Sequence, residues 1–184
     1  DLIEAIEAEN IGIRHIDVGG GLGITYTDEV PPAAEALVGQ MLARIDTRGH
    51  GQRELLFEPG RSLVGNAGVL LAEVLYLKPG DGERGGKNFC IVDAAMNDLM
   101  RPALYQAWMA IEPCRARAGA ATRWDVVGPV CESGDWLGRG RELVLQPGDT
   151  LAVLSAGAYA MSMASNYNSR ARAAEVLLVD GRPV

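Results

Sequence analysis

The stretch Glu58-Pro59-Gly60-Arg61 puts an acid, a proline, a glycine and an arginine directly after the apolar run Leu55 to Phe57. An earlier turn, Gly19-Gly20-Gly21-Leu22-Gly23, ends another apolar run. Glycine lets the backbone come close to a ligand, and its N–H can then face an anion. The plainer alternative is a strand-to-helix turn whose Glu58 and Arg61 only pair at the surface. Three further clusters follow. Arg101 and Tyr105 stand four apart, so on a helical turn they share a face. Together they can grip a carboxylate, the arginine by a forked ion pair and the tyrosine by its hydroxyl; alternatively the arginine only packs on the ring. Cys131 and Glu132 sit side by side, framed by Gly128-Pro129 and Gly134. The thiol can serve as acid or nucleophile and the carboxylate can hold an ammonium group. Their alternative is a buried inert cysteine and a solvated acid. Gly157-Ala158-Tyr159 opens a small-residue run to Asn168, in which a tyrosine hydroxyl can meet a phosphate. The alternative there is a packed core helix with methionines as filler.

The elements that must position these residues change character along the chain. Residues 1–9 read as a helix, Ile11 to Val18 as a strand, Pro31-Pro32 to Arg48 as a helix, and Glu54 to Phe57 as a strand. In the second helix Leu37, Met41 and Ile45 recur every four residues. Such alternation predicts a parallel sheet or barrel with both Gly-rich ends on one rim. After Gly68 the pattern becomes β-rich. Strands are expected at Val69–Leu77, Asn88–Asp93, Trp108–Ile111, Arg123–Val130, Glu142–Leu145, Thr150–Leu154 and Ala174–Val179. A short helix is expected over Asp98–Tyr105, and a polar hairpin loop over Asp81 to Lys87. Short strands at this spacing predict an antiparallel sandwich or barrel. The boundary falls near residues 62–70, giving segments 1–66 and 67–184.

Composition narrows the function classes. The chain has 184 residues, 48% hydrophobic, with a formal net charge of −7. That charge argues against nucleic acid or an anionic membrane as the main partner. Cys90, Cys114 and Cys131 are far apart, without metal-ligand spacing, and the two histidines, His15 and His50, have no partner spacing. A sparse, odd cysteine count fits a reducing cytoplasm. No apolar run reaches membrane-spanning length. The opening residues read as the middle or end of an amphipathic helix with no initiator Met, as in a cut chain.

Taken in order, these clusters resemble the pyridoxal-phosphate decarboxylases that pair an alanine-racemase-like (β/α)8 barrel with a β-domain, and among them most nearly the diaminopimelate decarboxylases. The resemblance rests on His15 to Ile24, Glu58 to Ser62, Ile91 to Tyr105, Cys131 to Asp135, and Gly157-Ala158-Tyr159. It implies residues 1–66 as the C-terminal part of the barrel and 67–184 as the β-domain, with the last segment packing back on the barrel. It implies that Gly21, Pro59, Gly60 and Arg61 hold the phosphate of pyridoxal 5'-phosphate and that Glu58 faces its ring nitrogen. Tyr159 would touch phosphate and substrate. Arg61, Arg101 and Tyr105 would bind the far carboxylate of meso-diaminopimelate, and Glu132 its far ammonium. Cys131 would deliver the proton that replaces CO2, yielding L-lysine. Cys131 and Glu132 would come from the partner subunit of a homodimer.

Two departures accompany this resemblance. The lysine that anchors the cofactor and the histidine that stacks on it lie on earlier barrel strands in the family, and no segment here matches them. Lys78 and Lys87 are the only lysines. The expectation is therefore a C-terminal fragment, inactive alone. The rivals are a non-catalytic binding or regulatory protein and an ornithine or arginine decarboxylase of the same fold.

Overall fold

The computed structural model describes residues 1–81 and 86–184. Most of the expected loop from Asp81 to Lys87 thus lies outside the described residues. The chain divides into two compact units, Asp1–Leu63 and Val64–Val184.

In the first unit, α1 (Leu2–Ala8), β1 (His15–Asp17), α2 (Ala34–Asp46), β2 (Glu54–Leu56) and the start of α3 (Gly60–Val64) follow in order. Two prolines lead into α2, and its extended N-cap, Ala33, has φ −62° and ψ 145°. Leu37, Val38, Met41 and Ile45 form its half-buried stripe. Beyond its end, Gly49 takes φ +79° while its N–H bonds the Asp46 carbonyl at 2.8 Å. The strands β1 and β2 are parallel, with Ile16 opposite Leu55. The expected strand from Ile11 is cut to three residues because the Arg53 guanidinium takes the Ile13 carbonyl and also binds Glu7 at 2.8 Å.

The second unit holds β3 (Leu70–Lys78), β4 (Phe89–Val92), α4 (Met100–Tyr105), β5 (Ile111–Pro113), β6 (Thr122–Val127), β7 (Trp136–Leu143) and β8 (Thr150–Val153). These strands form one six-stranded sheet in the order β5-β8-β3-β4-β6-β7. Of the expected antiparallel sandwich or barrel, the single sheet follows the barrel alternative. One correction applies: β4 pairs β6 in parallel because α4 and β5 intervene between them. The sheet curls until its edges meet: a Cβ at Gly138 of β7 would lie 2.7 Å from Ile111 Cδ1 of β5. Alternation sets the buried face, with Ala72 and Val74 inward and Leu71, Glu73 and Leu75 outward on β3. Val92, Leu99, Met109, Trp124, Val126, Leu137, Leu151 and Val153 fill the core.

Three expected strands moved. The run Trp108–Ile111 gives way to β5 at Ile111–Pro113, because Trp108 stacks under the Arg141 guanidinium at 4.3 Å and Met109 is buried. The run Glu142–Leu145 is the end of the longer β7, whose Gly138 and Gly140 hide it. Gly140 has φ +62° and donates its N–H to Asp125 at 2.8 Å, a bulge rather than a break. From the run Ala174–Val179 only β9 (Leu178–Val179) pairs, with β10 (Arg182–Pro183), around Asp180-Gly181 at φ +50° and +73°. The core helix weighed for Gly157–Asn168 is absent; two single 3-10 turns, Met161–Met163 and Tyr167–Ser169, stand in its place. Among the described residues, no helix is long and apolar enough to cross a membrane.

Candidate functional site

Parallel pairing brings the C-terminal ends of β1 and β2 side by side. Val18 donates its N–H to Leu56 O at 3.0 Å, and Glu58 donates its N–H to Gly19 O at 2.8 Å. The Gly-rich turn and the Glu58 loop are therefore one cradle. Gly19 takes φ +70° with its N–H on Asp17 Oδ1 at 2.8 Å. A Cβ at Gly20 would come within 2.2 Å of the Glu58 carbonyl oxygen, so no side chain fits there. Gly21, at φ +97°, has open space where its Cβ would be. Gly60 N–H bonds the Glu58 carbonyl at 2.9 Å and Ser62 Oγ bonds the Pro59 carbonyl at 2.8 Å. The surface ion pair weighed from sequence does not form. Glu58 is exposed, while Arg61 is half-buried with its Nε enclosed and without a hydrogen-bond partner.

In the second unit, Arg101 and Tyr105 stand one turn apart on α4. The turn leading into α4 is fixed by buried Asp98, which accepts the Ala95 N–H at 2.9 Å. The Arg101 guanidinium lies over the ring of Tyr159, 5.6 Å from its centre. Tyr159 has φ +59°, uncommon for a residue with a side chain, and is 46% exposed. Its segment is held by glycine: a Cβ on Gly157 would sit 1.8 Å from Val64 O, and one on Gly68 would sit 2.5 Å from Gly157 Cα.

Cys131 and Glu132 are exposed on the loop before β7. The buried, inert thiol is instead Cys90, which burial pushes up to about 12. Asp135 sets the loop's shape. Its carboxylate is 4% exposed and accepts N–H groups from Met96 and Val130, each at 2.7 Å. Gly128 gives it room, since a Cβ there would lie 2.5 Å from Asp135 Oδ2. Burial pushes the Asp135 carboxyl up, partly countered by those two N–H donors.

The sequence-predicted residues thus fall into two sets. Gly21, Glu58, Pro59, Gly60 and Arg61 lie in the first unit; Arg101, Tyr105, Cys131, Glu132 and Tyr159 lie in the second. Within the second, the structure joins Arg101 to Tyr159, whereas Cys131 and Glu132 occupy a separate loop. Lys87 is paired with Asp125 at 3.1 Å, and Lys78 ends β3. Among the described residues no three metal-ligating side chains come together.

A family profile described as "Pyridoxal-dependent decarboxylase, C-terminal sheet domain" matches residues 15–157. This chain belongs to the pyridoxal-dependent decarboxylases. It is 56% identical over 180 residues to the diaminopimelate decarboxylase of Vibrio cholerae, covering 98% of this chain and 42% of that protein. The match to the Pseudomonas aeruginosa diaminopimelate decarboxylase is also 56%, over 98% of this chain and 41% of that one. The crystal structure of diaminopimelate decarboxylase from Helicobacter pylori complexed with L-lysine superposes with a TM-score of 0.84 at 39% identity, over 98% of this chain and 43% of that one. The chain therefore spans about two fifths of the length of the curated relatives it matches.

Some residues that shape this decarboxylase surface were not assigned roles from sequence. Tyr167 donates its hydroxyl to Glu132 Oε2 at 3.2 Å. Arg170 Nε bonds Asn97 Oδ1 at 2.9 Å, and its guanidinium also reaches the Asp93 carbonyl and lies 3.6 Å from Asp98. Asp135 is the third. Asn97 and Asp135 stand inside the quoted motifs, but Asn97 bonds Arg170 and Asp135 bonds Met96, partners tens of positions away that no local spacing reveals.

Proposed function

We propose that this chain is the C-terminal portion of a diaminopimelate decarboxylase, which converts meso-2,6-diaminopimelate to L-lysine and CO2 with pyridoxal 5'-phosphate as cofactor. The observation that carries this reading is 56% identity to diaminopimelate decarboxylase over 98% of the chain. The cradle fits the cofactor's phosphate: Gly21 is open where a Cβ would stand, and the enclosed Arg61 Nε has no partner. Backbone N–H groups at Gly21 and Arg61 would hold the phosphate, with Pro59 and Gly60 shaping the loop and the Tyr159 hydroxyl as a proposed further donor. Glu58 would face the ring nitrogen. Bound there, the cofactor supplies an electron sink for the carbon that loses CO2.

The chain's other residues recognise the substrate's unreactive end and manage a proton. Arg61, Arg101 and Tyr105 bind the far carboxylate, and Glu132 binds the far ammonium. The Cys131 Sγ gives its proton to the carbon that held CO2. The exposure of Cys131 and Glu132 supports a homodimer in which this loop serves the partner's site. The first unit is the last part of a (β/α)8 barrel. Its two-stranded parallel sheet, with Leu56 exposed, is the kind that needs further strands and helices over it. The cysteines at Cys114 and Cys131 are free and exposed, which supports a reducing cytoplasm.

The test is turnover of meso-diaminopimelate, followed as L-lysine and CO2 in equal amounts. The full-length protein with pyridoxal phosphate is expected to be active, and the 184-residue chain inactive because it lacks the anchoring lysine. Turnover by the chain alone, or none by the full-length protein, contradicts the reading.

A further inference from the structure

We infer that Tyr167 is a positioning residue for Glu132 and thereby sets how strictly the enzyme demands an ammonium group at the substrate's far end. The inference rests on the proposed role of Glu132. Both carboxylate oxygens of Glu132 are held from its own chain. Oε1 accepts the Gly134 N–H at 3.3 Å, and Oε2 accepts the Tyr167 hydroxyl at 3.2 Å. A carboxylate gripped at both oxygens keeps one plane, leaving its remaining lone pairs aimed in fixed directions. The hydrogen bond to Glu132, and then its charge, push the Tyr167 phenol up.

Tyr167 is itself built into place. Its turn, Tyr167–Ser169, carries two consecutive non-glycine residues at φ +58°, Asn168 and Ser169. Such backbone persists only where the surroundings hold it. Ser165 N–H bonds the Asn97 carbonyl at 3.0 Å, Asn97 Nδ2 returns a bond to the Ser165 carbonyl at 3.2 Å, and Arg170 Nε bonds Asn97 Oδ1 at 2.9 Å. Asn97 leads directly into α4, which carries Arg101 and Tyr105. The Tyr167 turn thus ties Glu132, which serves the partner's site in the proposed homodimer, to the helix that carries Arg101 and Tyr105 in the same chain. Specificity of this kind comes from orientation of a charged acceptor, because a misaimed carboxylate discriminates poorly between a substrate with an ammonium and one without.

The experiment uses the full-length holoenzyme and two substrates, meso-diaminopimelate and D-2-aminopimelate, which lacks the far ammonium. Tyr167→Phe removes one hydroxyl from a half-exposed ring, so the fold is kept. The expected result is a rise in KM for diaminopimelate of roughly five- to tenfold with kcat within about twofold, in the range of one hydrogen bond to a charged group. D-2-aminopimelate kinetics stay unchanged, and Tyr167→Phe has no further effect in a Glu132→Ala background. Equal loss on both substrates, a fall in kcat alone, or an undiminished effect in the Glu132→Ala background overturns the inference, as does no effect at all. Should Glu132→Ala itself leave the preference for diaminopimelate intact, the role of Glu132 fails first and the inference with it. A strong effect of Glu132→Ala beside a silent Tyr167→Phe sinks the inference alone.

Discussion

The Arg101 guanidinium lies 5.6 Å above the centre of the Tyr159 ring. The contact holds an arginine from α4 against a tyrosine whose backbone sits at φ +59°. A guanidinium stacked on a ring directs its N–H fork along the ring plane, the geometry suited to a forked contact with a carboxylate. In the full-length enzyme Arg101→Ala is expected to raise KM for diaminopimelate roughly ten- to hundredfold, the scale of a charged hydrogen-bond pair. Cofactor content, read from its absorbance, should stay near that of the parent. Equal loss of substrate and cofactor binding points to a folding role instead.

Cys131→Ala tests the proton donor. General acids contribute about a hundredfold or more to rate, so kcat should fall by that order while cofactor stays bound. Native thiol titration near pH 8 gives the companion result. Cys114 and Cys131 should react, and Cys90, pushed up to about 12 by burial, should not. Loss of cofactor from Cys131→Ala contradicts the assignment.

Gly157→Ala asks how much the Tyr159 segment depends on close backbone packing. The new Cβ would meet Val64 O at 1.8 Å, a distance only backbone movement relieves. Overpacking of this kind costs about 1–3 kcal/mol. A drop in Tm of several degrees is expected, together with weaker binding of substrate through Tyr159 and Arg101. An unchanged Tm means the segment can shift freely.

Acid stability depends on Asp149. The Arg117 guanidinium, donating to both of its oxygens, holds this buried carboxyl below the usual carboxylate range. A depressed folded pKa contributes stability that is complete above the unfolded value of roughly 4 and is lost as pH falls through the folded value. Urea midpoints measured from pH 6 down to pH 3 should therefore fall more steeply for the parent than for Asp149→Asn. Parallel slopes would mean the pair carries no linkage.

Much of this architecture was legible because local rules and tertiary context agree. The stripe Leu37, Met41, Ile45 named α2, and the alternation on β3 named a half-buried strand. The joining of the Gly19 turn to the Glu58 loop followed from two strands ending on one rim. What was misread was decided by distant partners. Strand β7 hides behind Gly138 and Gly140, whose lack of side chains makes room for Ile111 and Arg123. Chemistry-bearing residue types stood out at Arg101, Cys131 and Tyr159, each beside glycine, proline or another reactive group. Tyr167 did not, because what marks it is a bond to Glu132, 35 positions away.

The most direct test of the central claim is a comparison of kcat/KM for the full-length enzyme on meso-diaminopimelate, ornithine and arginine. The recognition proposed for Arg61, Arg101, Tyr105 and Glu132 would require a carboxylate and an ammonium together at the far end, which of these three only diaminopimelate offers. Diaminopimelate should be favoured by at least about a hundredfold, with L-lysine as the product. Ornithine or arginine as the best substrate would contradict it.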